Sequence, residues 1–437
     1  MKVQKFGGTS VGSVTRIKDV AYLITSEKGN LVVLSAMSGT TNSLIEIADY
    51  FASKNVSGAQ DLIHAMETKY MSHIEQLYSK QEYKQKAIQY LHDTFELILS
   101  AGKEYSKSNE KLIIAQGELI STNMMTFYLL ENGIKAVLLP ALDFMKIDAS
   151  GEPDLDYITS HINPLIEADK DAEIFITQGF ICMNANNEVD NLKRGGSDYT
   201  ASLIGAAVKA EEIQIWTDID GMHNNDPRIV DNTKPVRHIH FEEAAELGYF
   251  GAKILHPSCI QPAMYANVPV RLLNTMDPKA LGTLIDNRPE RGTIKAVAAK
   301  DNIAAIKIKS SRMLLAHGFL RRVFEIFETY HTSIDMICTS EVSVTMSIDD
   351  TAHLNEIVHD LKQYGTVSVD LDMCIICVVG DMDWGNVGFE TSAMNAMKDI
   401  PVRMVSYGGS SYNISFLVRE EDKKRALQSL SNCLFEN

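Results

Sequence analysis

No stretch of the 437-residue sequence approaches the ~18 consecutive apolar residues of a membrane-crossing helix. Nor does the start show the charged, apolar and small-residue order of a secretion signal. The first residues read as a strand instead, and the chain is expected to be cytoplasmic. Cysteine is sparse: six residues, at 182, 259, 338, 374, 377 and 433, scattered as reduced thiols would be. "CIIC" at 374–377 has the CxxC spacing, but it lies in an apolar run that reads as a buried strand. Side chains three apart on a strand face opposite ways, which argues against a metal or redox pair.

Positive charge is in deficit. A net charge of −16 argues against nucleic acid or an anionic membrane as the main partner, though a few local cations still suffice for a nucleotide. Several chemical signatures are missing too: no Walker A sequence, no GxGxxG spacing, no Ser/His/Asp or Cys/His pattern, no zinc-ligand spacing. A nicotinamide-dependent dehydrogenase is disfavoured by the glycine spacing alone.

What remains is an ordinary globular composition, 45% hydrophobic and 22% charged, long enough for about three domains. Up to about residue 285 strand-like runs ("LVVLSAMSG", "KAVLLP", "EIFITQGF", "IQIWTDIDG", "VPVRLLNT") alternate with helical patterns. This implies an α/β domain over 1–286 with a largely parallel sheet sandwiched by helices, and ligands at the carboxyl ends of its strands. Beyond the polar "NRPERG" the texture changes. "HGFLRRVF…IDMI…SVTMSI" from His317 is echoed by "VGFETSAM…VRMV…NISFLV" from Val387, each after an apolar strand. Two α+β modules are expected, at 293–369 and 370–437, sequential or interleaved, and suited to ligand sensing or pairing between subunits.

Five segments combine into one site. "KFGGTS" places Lys5, Gly7, Gly8, Thr9 and Ser10 on a strand-to-helix turn whose amides can hold an anion. "SAMSGTTN" gives a polar helix start containing Thr41. "GELIST" puts Glu118 in an otherwise apolar helix, exposed or buried; if buried, its carboxylate needs a cationic partner. "LKRGGSDYTA" joins Arg194, Gly195 and Gly196 to Ser197 and Asp198 at a helix N-terminus, a compound anion site, although simple capping also explains Ser197 and Asp198. "WTDIDGMHNNDPRIV" ends a strand in acidic residues that suit Mg²⁺, a ribose or ordinary turns; Lys253 adds a cation. Such a set suits phosphoryl transfer, where catalysis is positioning and charge neutralisation.

These motifs, in this order and followed by paired ACT modules, resemble aspartate kinase over essentially the whole chain, in its monofunctional form. The resemblance implies the amino-acid-kinase fold with two βαββαβ-like ACT modules. It implies ATP and Mg²⁺ as cofactors and L-aspartate as substrate, converted to 4-phospho-L-aspartate. Lys5, Asp198 and Lys253 would be catalytic, with no protein metal ligands assigned. Thr41, Glu118, Arg194, Gly195, Gly196 and Ser197 would bind aspartate. Lys5, Gly7, Gly8, Thr9, Ser10, Thr217, Asp218, His223, Arg228, Lys253 and Ile254 would contact ATP, His223 standing where family members often have tyrosine. Asp198 would orient the lysines rather than act as a base.

In the first ACT module "SIDMICTSEVSV" resembles the lysine-sensitive branch. Met313, Phe319, Leu320, Ser333, Asp335, Thr339, Ser340 and Glu341 fall at effector positions, and Asp335 and Glu341 favour an ammonium-bearing effector such as lysine. Ala316 replaces a polar residue of some relatives. A homodimer, or a tetramer of dimers, through the ACT modules is expected. A kinase of glutamate or N-acetylglutamate, or a non-catalytic amino-acid sensor, are the alternatives on the same fold.

Overall fold

The computed structural model describes residues 1–192, 195–251, 255–313 and 317–435. In chain order the elements begin with β1 (Val3–Phe6), α1 (Val14–Ile24), β2 (Asn30–Leu34), α2 (Thr40–Ala52), α3 (Val56–Leu77), α4 (Gln81–Lys103) and α5 (Lys107–Glu131). Then come β3 (Ala136–Leu139), α6 (Ala141–Phe144), α7 (Leu155–Ala168), β4 (Ile174–Gln178), β5 (Ile181–Met183), β6 (Val189–Asn191), α8 (Gly196–Ala207) and β7 (Ile213–Thr217). After β8 (His238–His240) and α9 (Phe241–Tyr249) follow α10 (Pro257–Tyr265), β9 (Val270–Asn274) and β10 (Thr283–Asp286). The remainder is β11 (Ile294–Lys309), α11 (Phe319–Thr329), β12 (Met336–Ser340), β13 (Ser343–Ile348), α12 (Leu354–Leu361), β14 (Thr366–Gly380), α13 (Phe389–Ala396), β15 (Met404–Tyr407), β16 (Asn413–Arg419) and α14 (Lys423–Phe435). Among the described residues no helix is long and apolar enough to cross a membrane.

Two compact units divide the chain. The first takes residues 1–222 and 255–287, the second 223–254 and 288–437. In the first, strands run in the order β3-β4-β2-β1-β7-β9-β10. Every pair from β3 to β9 is parallel, and only β10 turns back against β9. The central strands β2 and β4 are buried throughout, as expected for a sheet covered on both faces. One face carries α8, whose small residues let it approach closely: a Cβ on Gly205 would stand 2.3 Å from Ile213. α2 to α5 enclose a large apolar core in which Tyr70, Leu44, Ile47 and Ile74 are fully buried. The hairpin β5–β6 was not legible, because three-residue strands give no countable alternation.

The second unit holds a sheet in the order β12-β13-β11-β14-β16-β15. The repeat seen in the sequence is real: α11 and α13 occupy corresponding places, as do β12–β13 and β15–β16. There are two cores. Ala304, Ile306, Ile308, Phe319, Val323 and Phe327 belong to the first, with β13 and α12. Val297, Ile376, Val378, Ala393, Phe416 and Leu427 belong to the second. β11 therefore begins in the second core and ends in the first, and β14 does the reverse, since Val367 and Val369 pack on the first. Between the two halves the ladder is irregular, with left-handed Asn302 (φ 58°) and Asp372 (φ 55°). Cys374 and Cys377 are both buried on β14.

Candidate active site

Chain reversal at the carboxyl ends of β1, β2, β4 and β7 brings the sequence motifs together in the first unit. β1 delivers Lys5, whose Nζ lies 2.7 Å from Asp198 Oδ1, with both side chains largely buried. Beyond Phe6, side chains on the two glycines would crowd the turn. A Cβ on Gly8 would press within 2.8 Å of the Ala36 carbonyl oxygen, and one on Gly7 within 3.2 Å of Lys5 Nζ. Ser13 then caps α1 by accepting from the Arg16 amide. Ser10, expected at the nucleotide, has its hydroxyl buried and 2.9 Å from that of Thr275, tying the turn to the end of β9.

Asp198 and Ser197 start α8, capped by Gly195 in the left-handed region (φ 71°); Gly196 shares it (φ 41°). A Cβ on Gly195 would meet Cys259 Sγ at 1.9 Å, so close packing as well as backbone conformation demands glycine. Ser35 donates to Ser197 Oγ across 2.8 Å, linking the end of β2 to the start of α8. α2 likewise begins after a left-handed glycine, Gly39 (φ 82°), and Thr40 Oγ1 lies 2.6 Å from the hydroxyl of Tyr70.

Glu118 completes the arrangement from α5. It is 3% exposed, Oε1 accepts from the Ala36 amide at 3.2 Å, and Oε2 has no hydrogen-bond partner among the described residues. Burial pushes its carboxyl up to about 7, against the weaker pull of the Ala36 amide. α5 is seated by polar contacts: Ser121 donates to the Ser35 carbonyl and Gln178 to Thr122, at 2.8 Å each. A cavity of about 430 Å³ opens here, lined among others by Gly8, Ser38, Thr41, Glu118, Phe180 and Ser197.

Phe180 was not singled out by residue type. It sits in the left-handed region (φ 68°) at the end of the "TQGF" strand, and its amide donates to Thr200. A bulky residue in that conformation marks a backbone held by its surroundings at the site. Thr217 ends β7 and donates to Asp218 at 3.2 Å. Beneath them Phe6 and Trp216 stack with ring centroids 5.5 Å apart.

Further expected positions are not among the described residues of the first unit. Arg194, Lys253 and Ile254 are outside the described residues. His223 and Arg228 belong to the second unit. There His223 Nδ1 is 2.9 Å from Thr233 Oγ1, and Arg228 grips Asp226 with two bonds, which hold that carboxyl below its usual range. Of the effector positions, Phe319 is buried in the first core with Met313 and Leu320 against it, while Ser333, Thr339, Ser340 and Glu341 are exposed. Asp335, expected to await an ammonium, is already engaged: Lys300 Nζ lies 2.7 Å from it and Tyr249 donates to it at 2.8 Å.

The first unit thus presents glycine turns and a lysine beside a buried carboxylate with a spare oxygen, an arrangement chemically able to take an anion and an ammonium side by side. Residues 1–274 match the amino acid kinase family, and residues 376–434 match the ACT domain. Lysine-sensitive aspartokinase 3 of Escherichia coli is 31% identical over 99% of this chain and 99% of its own. Chloroplastic aspartokinase 1 of Arabidopsis thaliana is 33% identical, over 100% of this chain and 80% of its own. The crystal structure of E. coli aspartokinase III with aspartate and ADP, an R-state, has a TM-score of 0.84 at 31% identity over 100% of both chains. The T-state of that enzyme with lysine and aspartate gives 0.81. The chain therefore belongs to the amino acid kinase family and, within it, to the aspartokinases, kinases of aspartate.

Proposed function

We propose that the cavity binds L-aspartate beside the terminal phosphate of ATP, and that the aspartate side-chain carboxylate attacks the γ-phosphorus in line, giving ADP and 4-phospho-L-aspartate. The observation that carries this reading is Glu118: a buried carboxylate with an unused oxygen in the cavity's wall is a receptor for the substrate ammonium. Arg194 takes a substrate carboxylate, and Thr41, Gly195, Gly196 and Ser197 supply hydroxyls and turn amides. A carboxylate acceptor, with pKa ~4, is already ionised at neutral pH and needs no general base. The barrier is repulsion between two anions. Lys5 offsets it at the phosphate, Lys253 adds a second cation, and Asp198 holds the Lys5 ammonium in place rather than removing a proton. Gly7, Gly8, Thr9 and Ser10 form the phosphate turn; Thr217, Asp218, His223, Arg228 and Ile254 are nucleotide positions.

Mg²⁺ is the metal such a reaction uses. Among the described residues the one cluster of three metal-ligating groups, His92, Asp93 and Glu96, is exposed on α4 and does not line the cavity. The carboxylates available at the strand ends, Asp198 and Asp218, suit an ion held chiefly by phosphate oxygens and water. Bound there, Mg²⁺ would neutralise phosphate charge.

Lysine is read as the feedback inhibitor, acting at the first ACT module. Self-association is read from β12, which leaves Ile337, Cys338, Thr339 and Ser340 exposed at one end of its sheet. An ATP-dependent hydroxamate assay tests substrate and regulation together. Product with aspartate but not glutamate, reduced by added lysine, is expected; equal product from both acids would contradict the assignment.

A further inference from the structure

In the second unit one ammonium already sits where the effector reading would place another. Lys300 Nζ is 2.7 Å from Asp335 and 2.9 Å from Asp349, and it stands 4.3 Å from the centroid of the Tyr249 ring. Two carboxylates and an aromatic face are the groups that recognise an ammonium. The Asp335 side chain is fully buried, and its Oδ2 has no hydrogen-bond partner among the described residues. The occupant is a lysine side chain, chemically the same group as the end of free lysine.

The other module inverts these charges. Lys300 stands two residues before left-handed Asn302; Asp370 stands two residues before left-handed Asp372. Asp335 directly precedes β12; Arg403 directly precedes β15. Lys300 pairs with Asp335, and Asp370 pairs with Arg403 at 2.9 Å. The repeat has thus kept an ion pair at one place and swapped its signs. Only the first module offers a carboxylate on the segment entering the edge strand, and only there is that side chain fully buried.

The pair also touches the segment that runs toward Lys253. Tyr249 ends α9, and its hydroxyl donates to Asp335. Two residues on, Gly251 (φ 114°) packs so closely on β11 that a Cβ there would lie 2.1 Å from the Ala299 carbonyl oxygen and 3.5 Å from the Lys300 amide nitrogen. Lys253 follows two residues later in the sequence.

We infer that Lys300 is a built-in competitor for the effector ammonium: lysine enters by displacing the Lys300 side chain from Asp335, and Tyr249 and Gly251, at and just beyond the end of α9, take up that displacement. This rests on the lysine reading above. It explains why a cationic effector would select one of two similar modules, since Arg403 repels it from the other. Differential affinity for the two arrangements supplies the coupling.

Full-length protein is titrated with L-lysine in a calorimeter and in the kinase assay. Lys300→Met removes the competitor and is expected to tighten lysine binding about fivefold or more. Lys300→Arg, which keeps a charge and can hold Asp335 with two bonds, is expected to bind lysine no more tightly than wild type, and serves as the folded control. Tyr249→Phe is expected to bind lysine but to show weaker inhibition at saturation. Wild type that binds lysine while Lys300→Met binds it equally or less tightly overturns the inference and leaves the lysine reading standing. Wild type that neither binds lysine nor is inhibited by it rejects the reading itself, and the inference with it.

Discussion

Lys5 and Asp198, 193 positions apart in sequence, meet at 2.7 Å because β1 and the start of α8 reach the same end of the parallel sheet. The pair sets a cation at the mouth of the glycine turns and fixes its direction. A free lysine there would sample many rotamers; one tethered to a largely buried carboxylate is preorganised for the charge that develops in transfer.

Asp198→Asn should therefore lower kcat while leaving the fold intact, because the amide keeps the shape but not the charge that steers Lys5. We expect about 10–100-fold, less than for loss of Lys5 itself. Steady-state kinetics with circular dichroism checks both halves. A kcat equal to wild type would remove Asp198 from the mechanism.

Aspartate affinity should depend on pH through Glu118. Its carboxyl is pushed up to about 7 by burial, and the substrate ammonium needs the ionised form. KM for aspartate is expected to rise as pH falls below about 7, approaching tenfold per unit at lower pH, and to lose that dependence in Glu118→Gln. For the unliganded protein the sign is opposite. A raised folded-state pKa favours the neutral form, so its stabilisation is full below about 4.5 and is lost as pH rises through about 7. Melting temperatures of wild type and Glu118→Gln across that window report the difference.

Gly195→Ala should be costly for two separable reasons. The left-handed conformation costs an L-residue about 1–2 kcal/mol, and the clash with Cys259 Sγ adds about 1–3 kcal/mol. In a Cys259→Ala background only the first cost should remain. A double-mutant cycle by urea unfolding measures the coupling; strict additivity would mean that the sulfur is not the obstacle.

Tyr70→Phe should weaken aspartate binding without touching substrate. The Tyr70 hydroxyl bonds Thr40 at 2.6 Å, at the start of the helix bearing Thr41. Losing that buried bond costs about 1 kcal/mol of stability. KM for aspartate is expected to rise a few-fold with kcat nearly constant. A fall in kcat alone would contradict this supporting role.

Much of this was legible in the sequence because strand-end motifs are local. "KFGGTS", "SAMSG" and "KRGGSDYTA" announce turns by composition, and the parallel sheet brings their ends together. α5 was readable with Glu118 inside it, yet only packing decides that the carboxylate is buried with one oxygen unused. Phe180 was not singled out because its left-handed backbone has no signal in residue type. The repeat at His317 and Val387 was visible as pattern, but the sharing of β11 and β14 between two cores was not. "AAIKI" reads as one apolar strand before the first repeat, and only pairing shows that it is the second half of a longer strand whose two halves face different cores. Asp335 reads in sequence as a receptor for an external ammonium; its engagement by Lys300 joins a strand residue to one on the segment entering another strand, 35 positions on, and leaves no local trace.

The decisive measurement is the turnover of Lys5→Ala with saturating ATP and aspartate. We expect kcat lower by about 10²–10³ with aspartate KM changed less than about fivefold, because the ammonium acts on the phosphoryl group in transit. A variant turning over at nearly the wild-type rate would show that the meeting of two anions here does not depend on that charge.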